Sequence, residues 1–77
     1  MRFIYLEFNK NYFILTREDN QKICFPYSKI DHLISDNATG KLRIEIRKYG
    51  TFFRDYESTE ELVKDSLRLM AKGGGNI

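Results

Sequence analysis

Within the span from 43 to 56, Arg43, Arg47 and Arg54 stand near Tyr49, Phe52 and Tyr56. A guanidinium pairs with anionic oxygens while a ring stacks on a flat partner, so the combination suits a small anionic, nucleotide-like ligand. It equally suits a protein surface of matching charge. The plainer alternative is ordinary cross-strand pairing, with arginine stems covering rings and Glu45–Arg54 forming a surface ion pair worth about 0.2–1 kcal/mol.

Other chemistry finds little support. His32 is the one histidine. Asp31 beside it would point to the opposite face of a strand, so the two form no acid–base dyad. Cys24 is the one cysteine, lodged between Ile23 and Phe25. It reads as a buried core thiol and closes no intramolecular disulfide. No Cys/His cluster has metal-ligand spacing. Neither a phosphate loop nor an HExxH pattern is present, and Gly73-Gly74-Gly75 follows a helix instead of opening one, so it cannot cradle phosphate. Asp55 and Glu57 could share a strand face as paired carboxylates, but Glu57 reads better as part of a helix start. The expectation is a non-enzyme with no catalytic residue, no cofactor and no metal.

The element that must carry the arginines is Lys41 to Tyr56. Leu42, Ile44 and Ile46 alternate with Arg43, Glu45 and Arg47, the period of a half-buried strand. Tyr49-Gly50 supplies a turn, and Thr51 to Tyr56 returns as the second strand of a hairpin. A two-residue loop would set Arg47 opposite Phe52, Ile46 opposite Phe53, Glu45 opposite Arg54 and Arg43 opposite Tyr56. Leu42, Ile44, Ile46 and Phe53 would then face the core. The three arginines, Phe52 and Tyr56 would share the other face. A slip of one residue would exchange the faces.

Upstream, Arg2–Phe8, Tyr12–Arg17 and Lys22–Phe25 read as three strands separated by polar turns. The first would set Ile4, Leu6 and Phe8 on one face, with Phe3 and Tyr5 on the other. Pro26 closes the third strand. Tyr27 to Asp36 is either a short helix capped by Ser28 or a single turn followed by a short strand over His32–Ile34, and the second is favoured. Downstream, Ser58 and Glu61 have capping-box spacing, and a helix follows from Thr59 to about Ala71. Leu62, Val63, Leu67 and Met70 mark its expected buried stripe, with Ser66 as a small contact and Leu69 at the margin. Residues 73–77 read as a flexible Gly-rich tail after a single domain over 1–72. The resulting fold class is α+β: a small twisted antiparallel sheet of about five strands packed by one C-terminal helix.

Composition narrows the partners. The formal net charge of +2 on 77 residues is small for a nucleic-acid binder, so that role is the weaker one. No stretch has the length or apolarity of a signal peptide or a membrane span, and a cytoplasmic protein is expected. Strands apolar on both faces in so short a chain call for a second subunit, and a homo-oligomer is expected.

Tyr12 to Leu67 resembles the small FlbD-like proteins, first named for flagellar operons and also common in phage and prophage genomes. The matching residues are Ile14-Leu15-Thr16, the polar turn Glu18 to Gln21, and Ile23-Cys24-Phe25-Pro26. They continue with the spaced pair Ile30 and Ile34, the Tyr49-Gly50 hairpin end, and Glu57-Ser58-Thr59-Glu60-Glu61-Leu62-Val63. The chain departs at Asn20-Gln21, where the family favours a glycine turn, and by its extra strand before Tyr12. The resemblance implies a small, β-rich, often oligomeric non-enzyme of phage origin, and brings no catalytic or ligand residues with it. The function expected is occupancy: blocking or sequestering a host component, either a defence protein or a small nucleotide signal. The alternatives are an assembly or regulatory factor acting through protein contacts, flagellar or otherwise, and a weak nucleic-acid binder using the basic hairpin.

Overall fold

The computed structural model describes residues 1–73. Six strands form two three-stranded antiparallel sheets, in place of the single sheet of about five expected. In the first, β1 (Phe3–Phe8), β2 (Tyr12–Arg17) and β3 (Lys22–Pro26) follow one another as a meander. A 3-10 turn over Tyr27–Lys29 leads into the second, made of β4 (Ile30–Asp36), β5 (Lys41–Ile46) and β6 (Gly50–Asp55). The helix α1 spans Thr59–Gly73. The turn-then-strand reading of residues 27–36 therefore holds, with the strand longer than expected.

The sheets meet where the chain ahead of β1 runs parallel to β6 through an Arg2–Phe53 bridge. There the Phe53 N–H donates to the Met1 carbonyl at 3.0 Å. A bulge between Phe3 and Tyr5 shifts the β1 register, so Phe3 joins Leu6 in the core and does not oppose it as strict alternation required. Between the sheets lies a ring stack. Phe25 stands 5.9 Å from Phe13 and 5.7 Å from Phe52, and Phe13 stands 5.5 Å from Tyr27, centroid to centroid. One sheet's Phe25, backed by Phe13, thus packs on the other's Phe52, which is why neither sheet needs a third layer on that side. Gly40 closes the β4–β5 turn at φ +72°, and a Cβ there would meet the Tyr56 carbonyl at 2.9 Å.

α1 starts as its sequence predicts, with the Glu61 N–H donating to Ser58 Oγ at 3.4 Å. Its buried stripe differs. Leu62, Ser66, Leu69 and Gly73 face inward, while Val63, Leu67 and Met70 are 37%, 58% and 47% exposed. The apolar arc of the helix is broader than one stripe, and the half nearer Ser66 and Gly73 wins because small residues let the helix sit close to the sheet. Gly73 ends the helix against Tyr27, where a Cβ would lie 3.2 Å from the Tyr27 carbonyl. Gly73 is therefore helical and buried, not tail; the rest of the expected tail, 74–77, lies outside the described residues. Cys24 is also corrected: it is exposed, because it alternates with Ile23 and Phe25 on the outward side of β3.

Leu69→Ala should cost about 2–5 kcal/mol in a urea titration, as truncation of a fully buried leucine does. At chain concentrations low enough to hold single chains, where Leu67 is exposed, Leu67→Ala should change stability by no more than about 0.5 kcal/mol. The reverse order would mean that the helix packs on its other apolar half.

Candidate functional site

The hairpin register decides where the arginines go. Ile46 is paired with Gly50, Ile44 with Phe52, Arg43 with Phe53 and Leu42 with Arg54. The loop is three residues, Arg47-Lys48-Tyr49, with Lys48 at φ +69° and the Tyr49 N–H donating to the Ile46 carbonyl. Relative to the two-residue loop, every residue of β6 is displaced by an odd number of positions, so its two faces are exchanged. Phe52 enters the core and Phe53 turns outward, the reverse of expectation. Glu45 stands opposite Thr51, so the expected Glu45–Arg54 pair does not form.

The six expected residues accordingly do not share a face. Arg43 is exposed on the outer side of the second sheet. Arg47 reaches back to Asp31, Nε to Oδ1 at 3.2 Å. Tyr49 is exposed in the loop, with its ring edge-on to Phe25 at 5.0 Å. Phe52 is buried, as is Tyr56. Only Arg54 and Tyr56 stay together, the guanidinium lying 4.2 Å from the ring centroid.

That pair sits under α1. The Tyr56 hydroxyl donates to Asp65 Oδ2 at 2.7 Å, and Arg54 stands 3.9 Å from both Asp65 and Glu61. The Arg54 side chain is 22% exposed, the most enclosed cation of any ion pair among the described residues. Burial pushes the Tyr56 phenol well above its ordinary range, and the hydrogen bond to Asp65 with that carboxylate's charge raises it further.

Arg54 lines two adjoining clefts between β1 and α1. The larger, about 450 Å³, is acidic: Glu18, Asp55, Glu57 and Glu61 outnumber Arg2 and Arg54. The smaller, about 330 Å³, has the opposite balance. There Arg54, Lys64 and Arg68 face Glu61 and Asp65, and Tyr5 and Phe8 supply rings from β1. Arg68 lies 5.4 Å from the Phe8 centroid. Lys64 and Arg68 make no ion pair among the described residues. Their spacing of four on one helix face brings both over the same cleft. Sequence reasoning passed over these two, although that spacing on a readily predicted helix was visible. Pairing them with Tyr5 and Phe8 required knowing that β1 runs beside α1.

A second cation–ring group lies on the outer face of the second sheet. Arg2 and Lys41 each stand 5.4 Å from the Phe53 centroid, next to Arg43. Asp55 offsets both cations, at 3.4 Å from Arg2 and 3.9 Å from Lys41. The group is open to solvent; Arg2 and Asp55 reach the rim of the acidic cleft that Arg54 also lines, while Arg43 and Arg47 do not line it.

Tyr56→Phe should cost about 1–2 kcal/mol in a denaturant titration, since it removes the hydroxyl and leaves Asp65 one partner fewer. The same variant tests the phenol. A group whose folded-state pKa is raised is fully stabilising below its unfolded value, here near 10, and loses that contribution as pH climbs above it. Wild type should therefore lose stability above about pH 10 more steeply than Tyr56→Phe, by up to about 1.4 kcal/mol per pH unit. Parallel alkaline curves would show that the phenol is not shifted.

Compared with known proteins, the chain matches no family model and no curated protein, so the likeness to FlbD-like proteins rests on the motifs alone.

Proposed function

We propose that this chain is a non-enzymatic binding protein that acts by occupancy. Its ligand is a small molecule carrying both a flat ring and an anionic group, as a nucleotide does. The observation that supports this is the convergence of Lys64 and Arg68, neither ion-paired among the described residues, with Phe8 and Tyr5 on one cleft of about 330 Å³ floored by Arg54. Two cations without carboxylate partners, held four residues apart on a helix, present charge that an incoming anion satisfies at little reorganisation cost. Rings at the rim offer stacking area of the kind that base-binding surfaces use. Glu61 and Asp65 partly neutralise Arg54, so Arg54 positions the floor while Lys64 and Arg68 supply the charge that selects the ligand.

Sequestration fits these parts better than turnover. The Tyr56–Asp65 contact is a closed donor–acceptor pair whose phenol is held neutral, and it offers no activated nucleophile. On this reading the residues outside the cleft, Arg43 and Arg47 among them, contribute solubility and local pairing.

A panel of mono-, di- and cyclic nucleotides should contain at least one that raises the melting temperature of the purified protein, by an amount that grows with ligand concentration. Lys64→Ala with Arg68→Ala should abolish that rise and leave the unliganded melting temperature within a few degrees of wild type. Arg43→Ala with Arg47→Ala should leave the rise intact. If the second pair abolished it and the first did not, the ligand would belong to the hairpin and not to the cleft.

A further inference from the structure

The second sheet ends in a bare edge. β4 pairs only with β5, and no backbone hydrogen bond crosses its other side among the described residues. It is the longest strand and contains neither Pro nor Lys. The opposite edge, β3, begins at Lys22 and ends at Pro26, both of which discourage pairing. β4 is also left uncovered from above. Leu33 faces inward with Ile44 but is only half-buried, and Ser35 faces inward with Leu42 yet is exposed. Ile34, on the outer side, is 47% exposed.

The helix has its own bare side in the same direction. Asp65, Arg68 and Lys72 point toward Tyr56, Phe8 and Tyr27. Val63, Leu67 and Met70 lie roughly half a turn away on a helix of 3.6 residues per turn. They therefore face out past β4, whose free edge lies on the side of the second sheet away from β1. Beside them runs an apolar depression lined by Thr59, Glu60, Val63, Lys64 and Leu67.

We propose that a second copy of this chain covers both surfaces at once, β4 pairing antiparallel with β4 about a two-fold axis at Ile34. Two features favour this occupant over an unrelated protein. The first is self-complementary chemistry. With Ile34 opposite Ile34, His32 stands opposite Asp36 of the second copy on both sides of the axis, and Leu33 stands opposite Ser35. Centring on Leu33 would set His32 against Ile34, and centring on His32 would set imidazole against imidazole. The second feature is spacing. α1 rests mainly on β4 and less on β5. With strands about 4.8 Å apart, a helix so placed lies about 5 Å from the axis, and its copy about 10 Å away. That is the distance at which two helices pack through side chains of this size. The assembly is then a continuous six-stranded sheet with two helices side by side, and Val63, Leu67 and Met70 are buried between them. A symmetric closed dimer of this kind also removes the edge as a template for open-ended association.

Light scattering on the full chain should give twice the 9.2 kDa chain mass. Ile34→Lys sets two ammonium groups against each other at the axis. Being exposed in the single chain, the position tolerates it, so the variant should keep its circular dichroism and fall to one chain mass. Ile34→Cys in a Cys24→Ser background should oxidise to a disulfide-linked dimer, because directly opposed residues have Cα atoms about 5 Å apart. Tyr5→Cys in the same background, on the other sheet, should not. A wild-type mass of one chain at every concentration overturns the proposal. So does a dimer that survives Ile34→Lys or cross-links through position 5. The cleft variant Arg68→Ala, which lies outside the depression beside Val63 and Leu67, should remain dimeric, so a missing ligand and a missing dimer are separate results.

Discussion

The pairing of Ile44 with Phe52 across the β5–β6 hairpin is the constraint on which the rest of the molecule depends. The three-residue loop with Lys48 in the left-handed region sets it. The pairing puts Phe52 between the sheets, where it meets Phe25 and, through Phe25, Phe13. It also puts Arg54 on the inner side, one pair beyond Phe52, where it is covered by α1 and partnered by Asp65 and Glu61. Shifted by one residue, the same hairpin would bury Phe53 with its two cations and expel Phe52, leaving both the ring stack and the helix contact unmade. A half-buried sheet specifies its register strongly for this reason.

A chain this short has little interior to spend. It has no disulfide, and a single core at this length is only marginally stabilising. The fold answers by sharing aromatics. Phe13, Phe25, Tyr27 and Phe52 form one chain of ring contacts that ties the first sheet, the connecting turn and the second sheet together. The Tyr27 hydroxyl, donating to the Asn9 carbonyl at 2.8 Å, ties that turn to the β1–β2 loop. The helix adds Leu62 and Leu69 from above. This economy leaves surfaces half-covered, the β4 edge and the outer half of the helix among them, and the cleft beside β1 is the gap between a helix seated over one sheet and the free edge of the other. The proposed site and the proposed interface both lie on surfaces left by the same shortage of chain.

Much of this was legible in the sequence. Alternation found the strands, the Ser58–Glu61 spacing found the helix start, and Pro26 marked the end of β3. Three features were not legible, each for a physical reason. The hairpin loop length turns on Lys48 adopting a positive φ, which Lys seldom does, so Tyr49-Gly50 looked like the better turn. The helix has apolar residues over nearly half its circumference, and periodicity alone cannot say which part meets the sheet. Ser66 and Gly73, small enough for close approach, were the available clue. The bulge in β1 moved Phe3 to the core against strict alternation, and nothing in RFIYLEF announces it. Of the six residues chosen for binding, Arg54 ended in the cleft and Tyr56 buried beside it, because they lie just ahead of the helix start. Arg43 and Arg47 did not, because face assignment failed with the register.

The most direct test is a set of cross-strand nuclear Overhauser contacts measured in the β5–β6 hairpin of the full chain. Contacts joining Ile44 to Phe52 and Arg43 to Phe53 are the result this account predicts. Contacts joining Ile46 to Phe53 and Arg43 to Tyr56 would contradict it. They would restore a two-residue turn, return Arg43, Arg47 and Arg54 to one outer face, and remove the floor of the cleft beneath the helix.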